Sequence, residues 1–234
     1  MNKFFGVSIL LLLALIAVVG AFLYGVKVGA ERGDAFFFIR SQSDKLRSLN
    51  SPSEDGLAKD RVHLVGDSLI ARGDWRGLKN ASRVVVNFGR GGITTGMLEN
   101  QWEPVYADCQ DLVLWIGTND LMQSLPVPSV LEAVGRLLDK AAAAHGQVFV
   151  MALPHYSKSA AWAAPVAQHF NDSLRELVTE RGAVFVATNQ VLGVESTMQP
   201  QFSLDGVHLT MEAYAILTRH LRELMEENEP EKPR

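Results

Sequence analysis

Four short stretches combine residue types that can do acyl-transfer chemistry. "HLVGDSLIARG" (63–73) runs from an apolar segment into Gly66-Asp67-Ser68, and "NFGRGGITT" (87–95) is glycine-rich. "GTND" (117–120) sets Asn119 beside Asp120, and "SLDGVHLT" (203–210) places Asp205 and His208 three residues apart. A serine hydroxyl is a weak nucleophile near neutral pH and needs a base within hydrogen-bond reach; a histidine with an acid able to orient it supplies one. Backbone and side-chain amides suit the oxyanion that forms when the serine attacks a carbonyl. Each stretch alone has a plainer reading: Gly-Asp-Ser as a turn, "GRGG" as a loop, Asn119-Asp120 as a helix start, Asp205 as the cap of the last helix. What matters is whether the fold gathers them.

The elements between them imply that it does. Short apolar, β-branched runs recur at 61–65, 83–87, 111–116, 147–152 and 183–187. Stretches with helical spacing lie at 127–146 and 163–182, and another follows at 210–227. Strands alternating with helices imply βαβ units and a parallel sheet covered on both faces. Gly146 and Gly182 stand where two helices should stop. The expectation is a three-layer, doubly wound, mainly parallel five-stranded α/β domain spanning 61–226. Ligands of such sheets bind beyond the carboxyl ends of the strands. Ser68 follows the first strand, the glycine-rich turn the second, "GTND" the third and Pro154-His155-Tyr156 the fourth, so these turns crowd one edge.

The four blocks in this order resemble the SGNH (GDSL-type) hydrolases, particularly the small lysophospholipase and platelet-activating-factor acetylhydrolase-like members. The resemblance runs from about Arg61 to Leu217. It implies a flavodoxin-like α/β fold, Ser68 as nucleophile, and Asp205 and His208 as acid and base. It also implies an oxyanion hole from the backbone N–H groups of Ser68 and Gly92 and the side-chain amide of Asn119. The expected function is hydrolysis of a carboxylic ester through an acyl-serine, the ester being a lipid acyl group or an O-acetyl group of an envelope glycan. Acyl transfer on the same scaffold and a non-catalytic, membrane-tethered binding protein are the alternatives. Two residues depart from the family pattern: Ile93 after the hole glycine, expected to make the rim of the site more apolar, and Leu209 after His208, where proline is frequent.

Other candidates read as structural. Asp67 is a turn-stabilising residue, and His63 is a core or sheet-face histidine. His155 follows the fourth strand and is a candidate to line the site. Trp75, Met97, Leu121 and Tyr156 are candidate walls of an acyl pocket, with simple packing as the plainer reading. "GRGG" lacks the Lys-Ser/Thr of a phosphate loop, and no metal-binding motif occurs, so neither cofactor nor metal is expected. The single Cys109 excludes an intrachain disulfide.

With 234 residues, 47% of them hydrophobic, the chain suffices for one domain and an appendage, and its net charge of −4 disfavours nucleic acid as a partner. The appendage is N-terminal. Residues 4–26 carry no charge, a length that crosses a bilayer as a helix. A cleaved signal, with Lys3 before it and Val28-Gly29-Ala30 as cleavage site, is the competing reading of residues 1–30. Residues 31–60 read as a tether and 227–234 as a frayed tail. Lys27, Arg32, Arg40 and Lys45 after the span favour a cytoplasmic domain by the charge rule. The short tail with Lys3 favours a membrane-anchored domain on the extracytoplasmic, periplasmic side, which is the expectation adopted.

Overall fold

The computed structural model describes residues 60–79, 83–144, 146–195 and 197–228. The expected span, nearly all of the tether and the tail beyond residue 228 lie outside these residues. Among the described residues, no helix is long and apolar enough to cross a membrane.

Five strands build one sheet: β1 (Asp60–Gly66), β2 (Arg83–Gly89), β3 (Asp111–Trp115), β4 (Val148–Met151) and β5 (Val184–Val186). Their order is β2-β1-β3-β4-β5, with every neighbouring pair parallel. Every residue of β3 is buried, as a central strand covered on both faces requires. The three long helices are α4 (Val127–Ala141), α5 (Ala164–Glu180) and α7 (Met211–Glu227). Each buries one stripe at helical spacing: Val130, Val134 and Leu137 in α4, Phe170, Leu174 and Val178 in α5, Tyr214, Leu217 and Leu221 in α7. Each such side chain taken fully from water contributes about 1.5–3 kcal/mol, which fixes the frame beneath the site.

Four short helices sit where chain leaves the carboxyl ends of strands: α1 (Ser68–Ala71) after β1, α2 (Thr95–Asn100) after β2, α3 (Thr118–Met122) after β3 and α6 (Thr188–Val191) after β5. The strand order reverses between β1 and β3, so the turns after these two strands flank the crevice of the sheet.

The helix expected over 127–146 ends earlier, at Ala141. The N–H groups of Ala142 and Ala144 close its last turn onto the carbonyls of Leu138 and Ala141. Gly146 serves close packing instead: a side chain there would run into the backbone of Gln110. Gly182 does follow a helix end, two residues past Glu180.

Candidate active site

β1 ends at Gly66, where only glycine fits because a Cβ would overlap the Trp115 carbonyl. The close approach lets the Asp67 N–H donate to that carbonyl at 3.1 Å. Asp67 then caps α1, its Oδ1 accepting from the Leu69 N–H at 2.8 Å. Ser68 therefore occupies the first helical position, whose N–H has no partner within the helix. The Asp67 carboxyl is fully buried, and burial pushes it up to about 7 despite the Leu69 N–H and the facing Thr118. Thr118 belongs to "GTND", so the Asp67 carboxyl lies against the asparagine turn.

The Ser68 hydroxyl lies 3.0 Å from His208 Nε2, and His208 Nδ1 lies 2.7 Å from Asp205 Oδ2. The second oxygen of Asp205 accepts from the N–H groups of Val207 at 2.9 Å and His208 at 2.8 Å. Partial burial raises the Asp205 carboxyl, but the His208 ring and these two N–H groups outweigh it and bring it down to about 2. An ionised Asp205 places the ring proton on Nδ1, which leaves the Nε2 lone pair to accept from Ser68. Asp205 does not cap α7. Thr210 does, its hydroxyl accepting from the Ala213 N–H.

The Asp205–His208 turn is held from outside by the segment after β4. The Ser157 N–H donates to the Gly206 carbonyl at 3.0 Å and Lys158 Nζ to the Leu204 carbonyl at 2.9 Å. Gly206 has φ +98°, and a Cβ there would overlap the Ser157 carbonyl. Its N–H donates to Ser203 Oγ at 2.7 Å.

On the other flank, Gly92 turns the chain at φ +75° and Asn119 Nδ2 donates to the Ile93 carbonyl at 2.9 Å. That bond uses one of the amide's two N–H groups and fixes the direction of the other. The Asp120 carboxylate accepts from the Thr95 N–H and hydroxyl at 2.9 and 3.0 Å, tying α3 to the loop that carries Gly92. The sequence reads Asp120, with Asn119, only as part of a helix start. Its partner lies 25 positions away, and only its acidic character in the first turn of α3 is a local signal.

The remaining candidates separate. The Ile93 side chain is largely buried beside Gly92, and its carbonyl accepts from Asn119. Trp75, Leu121 and Tyr156 are core packing, and His63 is a buried histidine whose Nδ1 meets the Tyr106 carbonyl at 3.1 Å. Met97 is 47% exposed and, with Arg90, Gly91, Gly92 and Gln101, lines a cavity of about 180 Å³. His155 faces a different cleft, beyond β4 and β5. Burial pushes the Cys109 thiol up to about 12, which removes it as a nucleophile. Among the described residues, no group of His, Cys, Asp and Glu is placed to hold a metal ion.

This geometry can activate a serine and protonate a leaving alcohol. Comparison with known proteins agrees with it. Residues 64–216 match the model of the GDSL-like lipase/acylhydrolase family. None of the curated proteins matches. A Streptococcus pneumonia protein described as a candidate platelet activating factor superposes with TM-score 0.64 at 18% identity, covering 85% of this chain and 98% of its own. A GDSL-like lipase from Bacteroides thetaiotaomicron gives 0.65 at 17% identity, with 80% and 97% covered. The acetylxylan esterase Axe2 from Geobacillus stearothermophilus gives 0.58 at 20%, with 75% and 97% covered. At these identities the likeness establishes the fold.

Proposed function

The chain belongs to the GDSL-like lipase/acylhydrolase family and is a serine ester hydrolase, and from that premise we propose that it removes short acyl groups, foremost O-acetyl groups of an envelope glycan, through an acyl-enzyme on Ser68. The observation that carries the reading is the unbroken chain from Ser68 Oγ to His208 Nε2 at 3.0 Å and from His208 Nδ1 to Asp205 at 2.7 Å. In this mechanism Ser68 Oγ bonds to the ester carbonyl carbon as its proton passes to His208 Nε2, and Asp205 stabilises the imidazolium. The N–H groups of Ser68 and Gly92 and the Asn119 amide hold the oxyanion. His208 returns the proton to the departing alkoxide as the C–O bond breaks. Water then enters by the same route and frees Ser68.

A short acyl group is supported by the structural relatives. An acetylxylan esterase among the structural relatives acts on an ester of the same kind. The uncharged stretch at 4–26 supports a membrane anchor and, with Lys3 before it, an extracytoplasmic domain, where envelope glycans lie. The test is hydrolysis of p-nitrophenyl esters, from acetate to long acyl chains, by the full chain in detergent beside Ser68→Ala. The wild type is expected to prefer acetate and the variant to lose at least ~1,000-fold in kcat. A preference for long chains would move the substrate to a lipid ester, and equal rates would remove Ser68 from the mechanism.

A further inference from the structure

A second and larger cleft, about 520 Å³, opens beyond the carboxyl ends of β4 and β5. Its size lies within the ~300–1,000 Å³ of sites that enclose small ligands. Its floor is rigid and polar. Asn171 spends its amide on the N–H and carbonyl of Leu153, and Asn189 bonds the Leu153 carbonyl and the His155 N–H, all at 2.8–3.1 Å. His155 itself is 95% buried, yet its Nδ1 has no hydrogen-bond partner. Burial keeps this ring neutral near pH 7, partly offset by the Glu195 carbonyl, which accepts its one N–H and leaves the other nitrogen as an acceptor.

The walls discriminate between ligand classes. Arg175 is the one cation among the lining residues, and its guanidinium lies 4.3 Å above the Phe185 ring. It faces two carboxylates, Asp172 and Glu195, and Gln168 already donates to Asp172 at 2.9 Å. A net negative lining disfavours phosphates and carboxylates. Gln168, Gln190, Glu195, Asp172, Arg175 and His155 together offer donors and acceptors side by side. Hydroxyl groups, which are both at once, satisfy such a set. The half-buried Phe185, with Val194 and Ala187, supplies apolar surface for the C–H faces of a sugar ring.

The cleft is coupled to the catalytic edge. It lies two to three strands from Ser68, ~10–15 Å at the ~4.8 Å spacing of paired strands. A few linked sugars span that distance. Two residues beyond His155, Ser157 donates to Gly206 inside the Asp205–His208 turn.

We propose that this cleft binds the neutral sugar chain of the substrate, holding a glycan whose ester group reaches Ser68. The proposal rests on the glycan-ester reading above. It is tested by titrating the full chain in detergent, as Ser68→Ala, with xylotetraose and N-acetylchitotetraose, alongside a lysophospholipid below its micelle concentration. At least one tetrasaccharide is expected to bind saturably with a Kd of about 1 mM or tighter. Gln190→Trp, which fills the cleft from an exposed position, and Arg175→Ala should each weaken it on the order of tenfold. No saturation by either sugar up to about 10 mM, unchanged affinity in both variants, or displacement by the lysophospholipid would overturn the proposal. Acetate-ester hydrolysis is measured separately. An active hydrolase that binds neither sugar sinks the cleft alone, whereas sugar binding by a chain that cleaves no ester upholds the cleft and sinks the hydrolytic reading.

Discussion

Asn119 shows what a single side chain contributes when its neighbours fix it. Its amide is anchored to the Ile93 carbonyl at 2.9 Å, so the second N–H points in one direction before substrate arrives. A preorganised donor acts on the charge that develops in the transition state and little on the neutral ester. Asn119→Ala is therefore expected to lower kcat with acetate esters ~100–1,000-fold while KM moves little. Steady-state kinetics decide it: a variant with unchanged kcat removes Asn119 from the oxyanion hole. Asp205 works differently. Held down to about 2, it stays ionised across any practical assay range, and its acid limb should not appear in the rate profile above pH 4.

At the scale of elements, the strand and helix pattern was legible because it rests on periodicity. All five strands were readable as short apolar runs, their edges within about two residues, since a parallel sheet buries both faces. Three of the four chemistry-bearing blocks were legible because each follows a strand end, and the fourth, 203–210, because it leads into the last helix. What holds those blocks together was not, because it lies in contacts between distant turns. Asp120 reaches Thr95, Asp67 faces Thr118, and Ser157 grips Gly206; nothing in a local pattern announces such partners. The role of Gly146, close packing against Gln110 and not the end of a helix, escaped for the same reason.

The Ser157–Gly206 contact carries the prediction at this scale. Gly206→Ala places a methyl group against the Ser157 carbonyl and strains a residue at φ +98°. Strain of this kind costs about 1–3 kcal/mol if the turn keeps its shape, and the turn can relieve it by moving Asp205 and His208 away from Ser68. We expect a kcat loss larger than the fall in stability explains, seen by comparing rates at a temperature where circular dichroism shows the variant folded. A variant as active as the wild type would mean that the segment after β4 does not position the catalytic turn.

For the molecule as a whole, the buried groups give stability a pH dependence whose sign can be worked out. Asp67 has a folded pKa of about 7 against 3.8 in the unfolded chain, because burial disfavours its charged form. Between these values the folded protein keeps a proton that the unfolded chain has released. Its contribution is thus complete below about pH 4, declines as pH rises, and is gone above about 7, a change of about 4 kcal/mol. His63 and His155 oppose it: burial lowers both, so the unfolded chain takes up protons first and stability falls as pH drops below 6.5. Asp67→Asn keeps an oxygen for the Leu69 N–H but cannot titrate, so the difference between wild type and variant isolates the Asp67 contribution. The Tm of wild type relative to the variant should therefore be highest near pH 4–5 and fall by on the order of 10 °C towards pH 8. A difference constant across that range would show that Asp67 is ionised in the folded protein.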